Sequence, residues 1–169
     1  METTDSDKHW YVVLTRTNSE RKVRDYFQLQ EVDTFLPVQN RVIEREGKRI
    51  ERERLLLPRM VFVHISRQEM AAVRSTLNVY DFLRDRSTGA PTCIPDAQMA
   101  DFRYMLDYSQ DQVILTGESI PKGTRVVVAK GDLQGLRGEL VRYNNKYHIL
   151  VRIDMFGSAM VTIPASYVR

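Results

Sequence analysis

The sequence is poor in the residues that build reactive sites. It has one cysteine in 169 residues, Cys93, so an internal disulfide is impossible. Its three histidines, His9, His64 and His148, are scattered, and no Cys or His pair has metal-ligand spacing. No glycine loop of the Walker or dinucleotide type occurs. No apolar run approaches the ~20 residues that span a bilayer, and no charged-then-apolar leader opens the chain. Carboxylates are plentiful but lie in charge-alternating runs, where solvated pairing is their ordinary use, and no nucleophile, base and orienter can be assembled. These absences argue for a cytoplasmic, reduced protein that is not an enzyme, needs no cofactor or metal, and has no membrane partner. Binding is the function that remains.

What is present suits a folded chain. Hydrophobic residues make up 43% and charged residues 28%, and eight Gly with six Pro argue against low complexity. The length fits one domain or two small ones. The start, METTDSD, is polar and acidic, and residues 1–8 are expected to form a disordered tail. The formal charge of +3 is unevenly placed: from Pro121 onward eight Lys/Arg stand against three Asp/Glu, while the preceding residues are nearly neutral. A basic C-terminal third suggests an anionic partner such as nucleic acid or the ribosome.

Along the chain, HWYVVLTR reads as a first strand, rich in aromatic and β-branched residues. A helix comes next, with Asn18 or Ser19 as cap and Val23, Tyr26, Phe27 and Gln30 on one stripe. Val32 to Val38 reads as a short extended segment. RVIEREGKRIERERLLL reads as a hairpin turning at Glu46-Gly47-Lys48, its interleaved charges favouring cross-strand pairs on a solvated ribbon. The run LLLPRMVFV then breaks the alternation of a half-buried strand: either it is buried on both faces, or one face is kept apolar for a partner. SRQEMAAVRSTL has the capping-box spacing of Ser66 and Glu69, with Met70, Val73 and Leu77 on one helix face. NVYDFLRD reads as a strand, and PDAQMADFRYML as a helix with Met99, Phe102, Arg103 and Leu106 along one side. From Asp107 to Gly123 the periodicity lapses, which reads as a linker. Beyond it TRVVVA, GELVRY, YHILVRIDM and AMVTI are short strands separated by KGD, NNK and FGS, the grammar of a small barrel. The fold class is α+β.

Two segments carry a family resemblance. KGTRVVVAKGDLQGLRGELVRYNNKYHILVRIDMFG resembles the KOW motif, its glycine-rich turn formed by Gly131, Gly135, Leu136 and Gly138. A tight corner between strands uses glycine where φ is positive or backbones come close, and Leu136 would plug the barrel. The second is the order WYVVLTR, NSERKV, FLPV, charged hairpin, LLLPRMVFV, capped helix and NVYDFLRD, which resembles the N-terminal domain of NusG-type transcription elongation factors. Together they cover about His9 to Arg169. Within that family the chain looks more like the specialised paralogues, such as RfaH and the UpxY polysaccharide-locus antiterminators. The resemblance implies a NusG N-terminal-type domain over 9–107 with an antiparallel sheet flanked by helices, a linker over 108–121, and a KOW-like, SH3-like β-barrel over 122–169.

The resemblance also implies a function. It is that of a transcription elongation or antitermination factor that binds the RNA polymerase clamp helices, bridges the cleft and suppresses pausing or termination. By position Leu14, Leu57, Met60 and Phe62 match the clamp-binding residues. Strand alternation puts Met60 and Phe62 on one side, with Val61 and Val63 opposite. Arg59 and Met60 depart from the family pattern, where Gly or Asn and then Tyr are common. Arg16, Lys22, Arg74 and Thr76 match positions that contact non-template DNA. The barrel would meet a ribosomal protein or Rho, and the protein would be a monomer. In the RfaH branch the C-terminal segment can fold as a helical hairpin; strong strand alternation in Thr124–Val128 and His148–Met155 favours the barrel here. The alternative is a ribosome- or RNA-binding KOW protein that does not act on RNA polymerase.

Overall fold

In the computed structural model, which describes residues 7–169, strand β1 (His9–Thr15) and strand β5 (Met60–Ile65) pair antiparallel over six residues, from His9 opposite Ile65 to Leu14 opposite Met60. Side chains alternate across a strand. Tyr11, Val13, Val61, Val63 and Ile65 face one way, into a core completed by Val23 and Phe27 of helix α1 (Glu20–Leu29) and Val73 of helix α2 (Met70–Arg74). Strands β2 (Asp33–Phe35) and β6 (Val79–Phe82) extend this sheet to the order β2-β5-β1-β6, and the short β7 (Cys93–Ile94) also pairs with β1. This first compact unit comprises residues 7–38 and Leu55–Asp96. Of the expected tail, residues 1–6 lie outside the described residues.

Local signals explain most of these elements. Ser66 and Glu69 form the expected capping box, the Glu69 carboxylate accepting from the Ser66 N–H at 2.8 Å. The helix it opens is shorter than the apolar spacing suggests. A 3-10 turn (Arg67–Glu69) leads into α2, which stops at Arg74. Both the Ser75 and Thr76 hydroxyls donate to the Ala72 carbonyl, and Asn78 takes a φ of 69°. Such hydroxyl bonds compete for helical carbonyls, so Leu77 leaves the helix and is 83% exposed instead of packing beside Val73. In α1 the buried side chains are Glu20, Val23 and Phe27, and Tyr26 is exposed rather than part of the stripe.

The second compact unit comprises Gln39–Arg54 and Ala97–Arg169. Strands β3 (Val38–Arg45) and β4 (Lys48–Leu55) form a two-stranded ribbon turning at Glu46 (φ 53°) and Gly47 (φ 74°), the paired positive φ of a tight hairpin. The foot of the ribbon is tied to residues 111–113. Gln39 donates to the Asp111 carbonyl and accepts from the Val113 N–H, and Arg54 donates to the Val113 carbonyl. These bonds lie within the second unit. Helix α3 (Asp96–Tyr108) buries Met99, Phe102, Met105 and Leu106, and Tyr104 donates to the Gln134 carbonyl at 2.6 Å.

The remaining strands form a five-stranded antiparallel sheet, ordered β8-β12-β11-β10-β9. Its members are β8 (Ile114–Thr116), β9 (Thr124–Val127), β10 (Arg137–Tyr143), β11 (Lys146–Ile153) and β12 (Gly157–Thr162). Part of the stretch 108–121, expected as a linker, belongs to this sheet. Its short apolar island is strand β8, registered against β12 from Ser158 opposite Thr116 to Met160 opposite Ile114. Residues 124–162 form strands where a helical hairpin was the alternative.

One ion pair, with a buried carboxylate and a half-buried guanidinium, fastens this sheet. The Glu139 carboxylate, almost fully buried, receives the Arg152 Nε at 2.9 Å and the Gly123 N–H at 3.0 Å, while Arg152 also donates to the Ile120 carbonyl at 2.8 Å. The pair thereby holds the segment leading into β9 against β10 and β11. The Arg152 hydrogen bond, with help from Gly123 and against the cost of burial, lowers the Glu139 pKa below the ordinary carboxylate value. A depressed pKa contributes stability that is present above the unfolded value and is lost as pH falls through the folded one. We expect Glu139→Gln to lower stability at neutral pH by about 1–3 kcal/mol. Its melting temperature should also decline less than that of the wild type as pH drops below the usual carboxylate range, which a thermal melt series across acidic pH measures.

Candidate partner-binding face and an open depression

The stretch LLLPR does not lie on one strand with MVFVHI. Strand β4 ends at Leu55, the chain bends through Leu56 and Leu57, and Pro58-Arg59 turns it into β5. Arg59 adopts a φ of 62°, a left-handed conformation that favours glycine or asparagine. The departure from the family pattern at this position is thus a strained one. Two bonds fix the turn. The buried Glu20 carboxylate at the start of α1 accepts the Arg59 N–H at 2.9 Å, and the Arg59 carbonyl accepts the Thr15 N–H at 2.9 Å. Together they set Met60 directly opposite Leu14.

The sheet face away from the helical core carries the rows Trp10–His64, Val12–Phe62 and Leu14–Met60. Burial falls along it. Val12 and Phe62 are fully buried, Phe62 lying 5.9 Å from the Phe35 ring, whereas Leu14 and Met60 are half-buried. Leu57, in the bend just before, is also half-buried. Of the four residues matched by position to a clamp contact, three lie at accessible or partly accessible points and Phe62 is core. On the β6 side, Leu14 pairs with Asp81, so an acid ends the Met60–Leu14 row. Asp81 accepts from Arg84 Nη2 at 3.3 Å and from the Phe82 N–H at 2.7 Å, and pairs with Arg74 Nε at 3.3 Å. The Arg84 hydrogen bond is the main cause of its lowered pKa.

A second feature lies on the other side of the unit. Lys22 and Tyr26 of α1 face Ala72, Ser75, Thr76, Leu77 and Asn78 across an open depression of about 610 Å³. The structure thus brings together Lys22 and Thr76, two of the residues matched to DNA contacts. Arg16 joins them through its backbone, its N–H donating to the Asn78 carbonyl at 2.9 Å. Arg74 does not line the depression, because its guanidinium is turned to Asp81. Sequence reasoning missed Tyr26, assigned to the core stripe, and Asn78. An exposed aromatic beside an ammonium, hydroxyls and an amide can stack and hydrogen-bond a planar base.

The glycine-rich turn lies in the second unit. Gly131 and Gly135 have φ of 89° and 94°, and a Cβ at Gly138 would meet the Leu150 carbonyl oxygen at 2.6 Å. Leu136 between them is buried, and the turn closes through the Gly135 N–H to Val128 carbonyl bond at 2.8 Å.

Comparison with known proteins decides the family. The NusG family model, described as transcription termination factor nusG, matches residues 8–103, more than half the chain and all of β1 to α2. The chain belongs to the NusG family. That is a family of transcription factors without enzymatic activity. The fold is also similar to the solved structure reported as "Domain interaction in Thermotoga maritima NusG", at 19% identity and a TM-score of 0.52 with 98% of each chain covered. At that identity the likeness shows the fold alone. A likeness to the MjSpt4:Spt5 complex, at 14% identity, a TM-score of 0.33 and 95% of each chain covered, is too weak to carry an argument. No curated protein matches the chain significantly. Among the described residues no helix is long and apolar enough to cross a membrane, and no group of three or more acidic, His or Cys side chains could hold a metal ion.

The Arg59 turn makes a direct prediction. Glu20→Ala removes the buried acceptor of the Arg59 N–H and should cost about 1–3 kcal/mol. Arg59→Gly relieves a left-handed residue and should leave stability unchanged or raise it by up to ~1 kcal/mol. Chemical denaturation of the two variants beside the wild type checks both signs.

Proposed function

We propose that this NusG-family chain is a specialised elongation and antitermination factor of the RfaH and UpxY type. It binds the clamp helices of RNA polymerase through the half-buried end of β1 and β5, bridges the cleft and suppresses pausing or termination at particular operons. The observation that carries this reading is the cross-strand pair Leu14–Met60. It is an apolar row left partly open beside the closed Val12–Phe62 row, and it lies within the residues the family model matches. Leu57 flanks it, and Met supplies an adaptable apolar contact in place of an aromatic. Phe62, fully buried, lies in the next row on the same face.

The depression holding Lys22, Tyr26 and Thr76 supports a second contact, to a base of the non-template DNA strand, with Arg16 and Arg74 serving phosphates. The second unit reads as the KOW-type, SH3-like barrel of the family, and its partner would be a ribosomal protein or Rho. The excess of eight Lys/Arg over three Asp/Glu from Pro121 onward favours a competing reading as a ribosome- or RNA-binding protein. Salt separates the two. Binding through phosphates weakens steeply as salt rises, whereas an apolar clamp contact survives.

The test is the affinity of the full chain for core RNA polymerase at moderate and high salt, with Met60→Glu and Leu14→Glu at matched thermal stability. Burying a side chain of this size is worth roughly 1.5–3 kcal/mol. Each charge should therefore weaken salt-tolerant binding by about tenfold or more. Variants that bind like the wild type would remove the clamp reading.

A further inference from the structure

Arg74 occupies an unusual position for a residue on the helix that walls the depression. Its neighbours Ala72, Ser75 and Thr76 line that depression, yet its own guanidinium points to Asp81 of the edge strand β6. The ion pair is asymmetric in what each arginine has at stake. Arg84, the other cation on Asp81, is independently anchored by donating to the Gly89 carbonyl at 3.0 Å. The Arg74 side chain is 58% exposed, and Asp81 is the anion it meets. Asp81 is itself held in place, its Oδ1 accepting the Phe82 N–H at 2.7 Å as well as the Arg84 guanidinium. A fixed carboxylate thus faces one tethered arginine and one exposed arginine that is free to leave.

We propose that Asp81 is an internal anion that competes with nucleic-acid phosphate for Arg74, and so sets how tightly single-stranded DNA is held at the Lys22–Tyr26–Thr76 depression. The proposal rests on the reading of that depression as a nucleic-acid contact and adds the element that restrains it. In the resting chain the Arg74 charge is satisfied by Asp81, which keeps indiscriminate binding weak. A DNA strand lying along α2 offers a phosphate, Arg74 transfers to it, and Arg84 remains to satisfy Asp81. Only a strand that also fits the depression gains enough from base contacts to make the exchange favourable. The negative charge therefore acts on discrimination more than on fold.

The experiment is a double-mutant cycle read by anisotropy of a short fluorescein-labelled, mixed-sequence single-stranded DNA, titrated with the full chain at several salt concentrations. The variants are Asp81→Asn, Arg74→Ala, the pair together, and Lys22→Ala. Asparagine keeps an oxygen for the Phe82 N–H, and matched melting temperatures establish that each variant is folded. An exposed ion pair is worth little, so releasing Arg74 should tighten binding by roughly two- to fivefold. The salt dependence should steepen by about 0.7 in logarithmic slope, one further phosphate contact on a single strand. Both changes should vanish in the Arg74→Ala background, which separates a specific release from the general effect of deleting a negative charge.

Weaker binding by Asp81→Asn would mean that Asp81 positions Arg74 for DNA, and would overturn the proposal. An equal gain with and without Arg74 would overturn it as well. If Asp81→Asn changes nothing while Lys22→Ala weakens binding, the competition is refuted and the depression remains a nucleic-acid contact. Wild-type binding that is absent, or insensitive to Lys22→Ala, refutes the depression itself and the proposal with it.

Discussion

The pairing of β1 with β5 constrains everything else in the first unit, because both strands carry apolar side chains on both faces. For strands of that kind the apolar pattern alone does not fix the register. Moving β5 by one residue would turn Val61, Val63 and Ile65 out of the core and Met60, Phe62 and His64 into it. The register is instead fixed at the end where the chain enters β5, by the Thr15 N–H to Arg59 carbonyl bond and by the Glu20 carboxylate on the Arg59 N–H. A left-handed residue at Arg59 is the cost of making that entry so tight. The same turn delivers Met60 opposite Leu14, so the candidate polymerase contact and the sheet register have a single cause.

This dependence explains which parts of the molecule were legible in the sequence. Alternation in MVFVH separated Met60 and Phe62 from Val61 and Val63, and the structure has that separation. Alternation assigns a face, however, and carries no information on depth. Phe62 shares a face with Met60 yet is fully enclosed, because it sits opposite Val12 in the middle of the strand pair rather than at its end. The apolar run LLLPRMVFV looked continuous because composition records neither the bend at Leu56–Leu57 nor the left-handed Arg59. Leu77 was misread for a related reason. Its spacing from Val73 is helical, but the hydroxyls of Ser75 and Thr76 end the helix first.

Long-range pairing was the part least visible. Strand β8 is three residues long, below the length at which periodicity can be read, and it exists because β12 offers it an edge. The tie between Gln39 and Val113 spans 74 positions, so no local pattern announces it. The same holds for the candidate DNA contacts. Lys22 and Thr76 meet across a depression because α1 and α2 pack on one sheet face, and Arg74 is turned aside by an aspartate on a neighbouring strand. Matching positions to a family located these residues. Only the geometry divides them into those that share a pocket and one that is held back.

The Glu139–Arg152 pair gives a physical reason for the β form of the C-terminal residues beyond strand propensity. The two residues lie 13 positions apart and meet because β10 and β11 are registered with Glu139 opposite Leu150. On one continuous helix the same separation would set them about 20 Å apart, at 1.5 Å per residue. The Ile120 carbonyl and the Gly123 N–H bind the same pair, so the chain entering the sheet is committed with it. Refolding the sheet into a helical form would give up the Arg152 pair and the Gly123 amide bond together, a larger loss than the removal of one exposed ion pair. Propensity favours strands in these residues only weakly, and a buried charge satisfied in one register alone makes that preference specific.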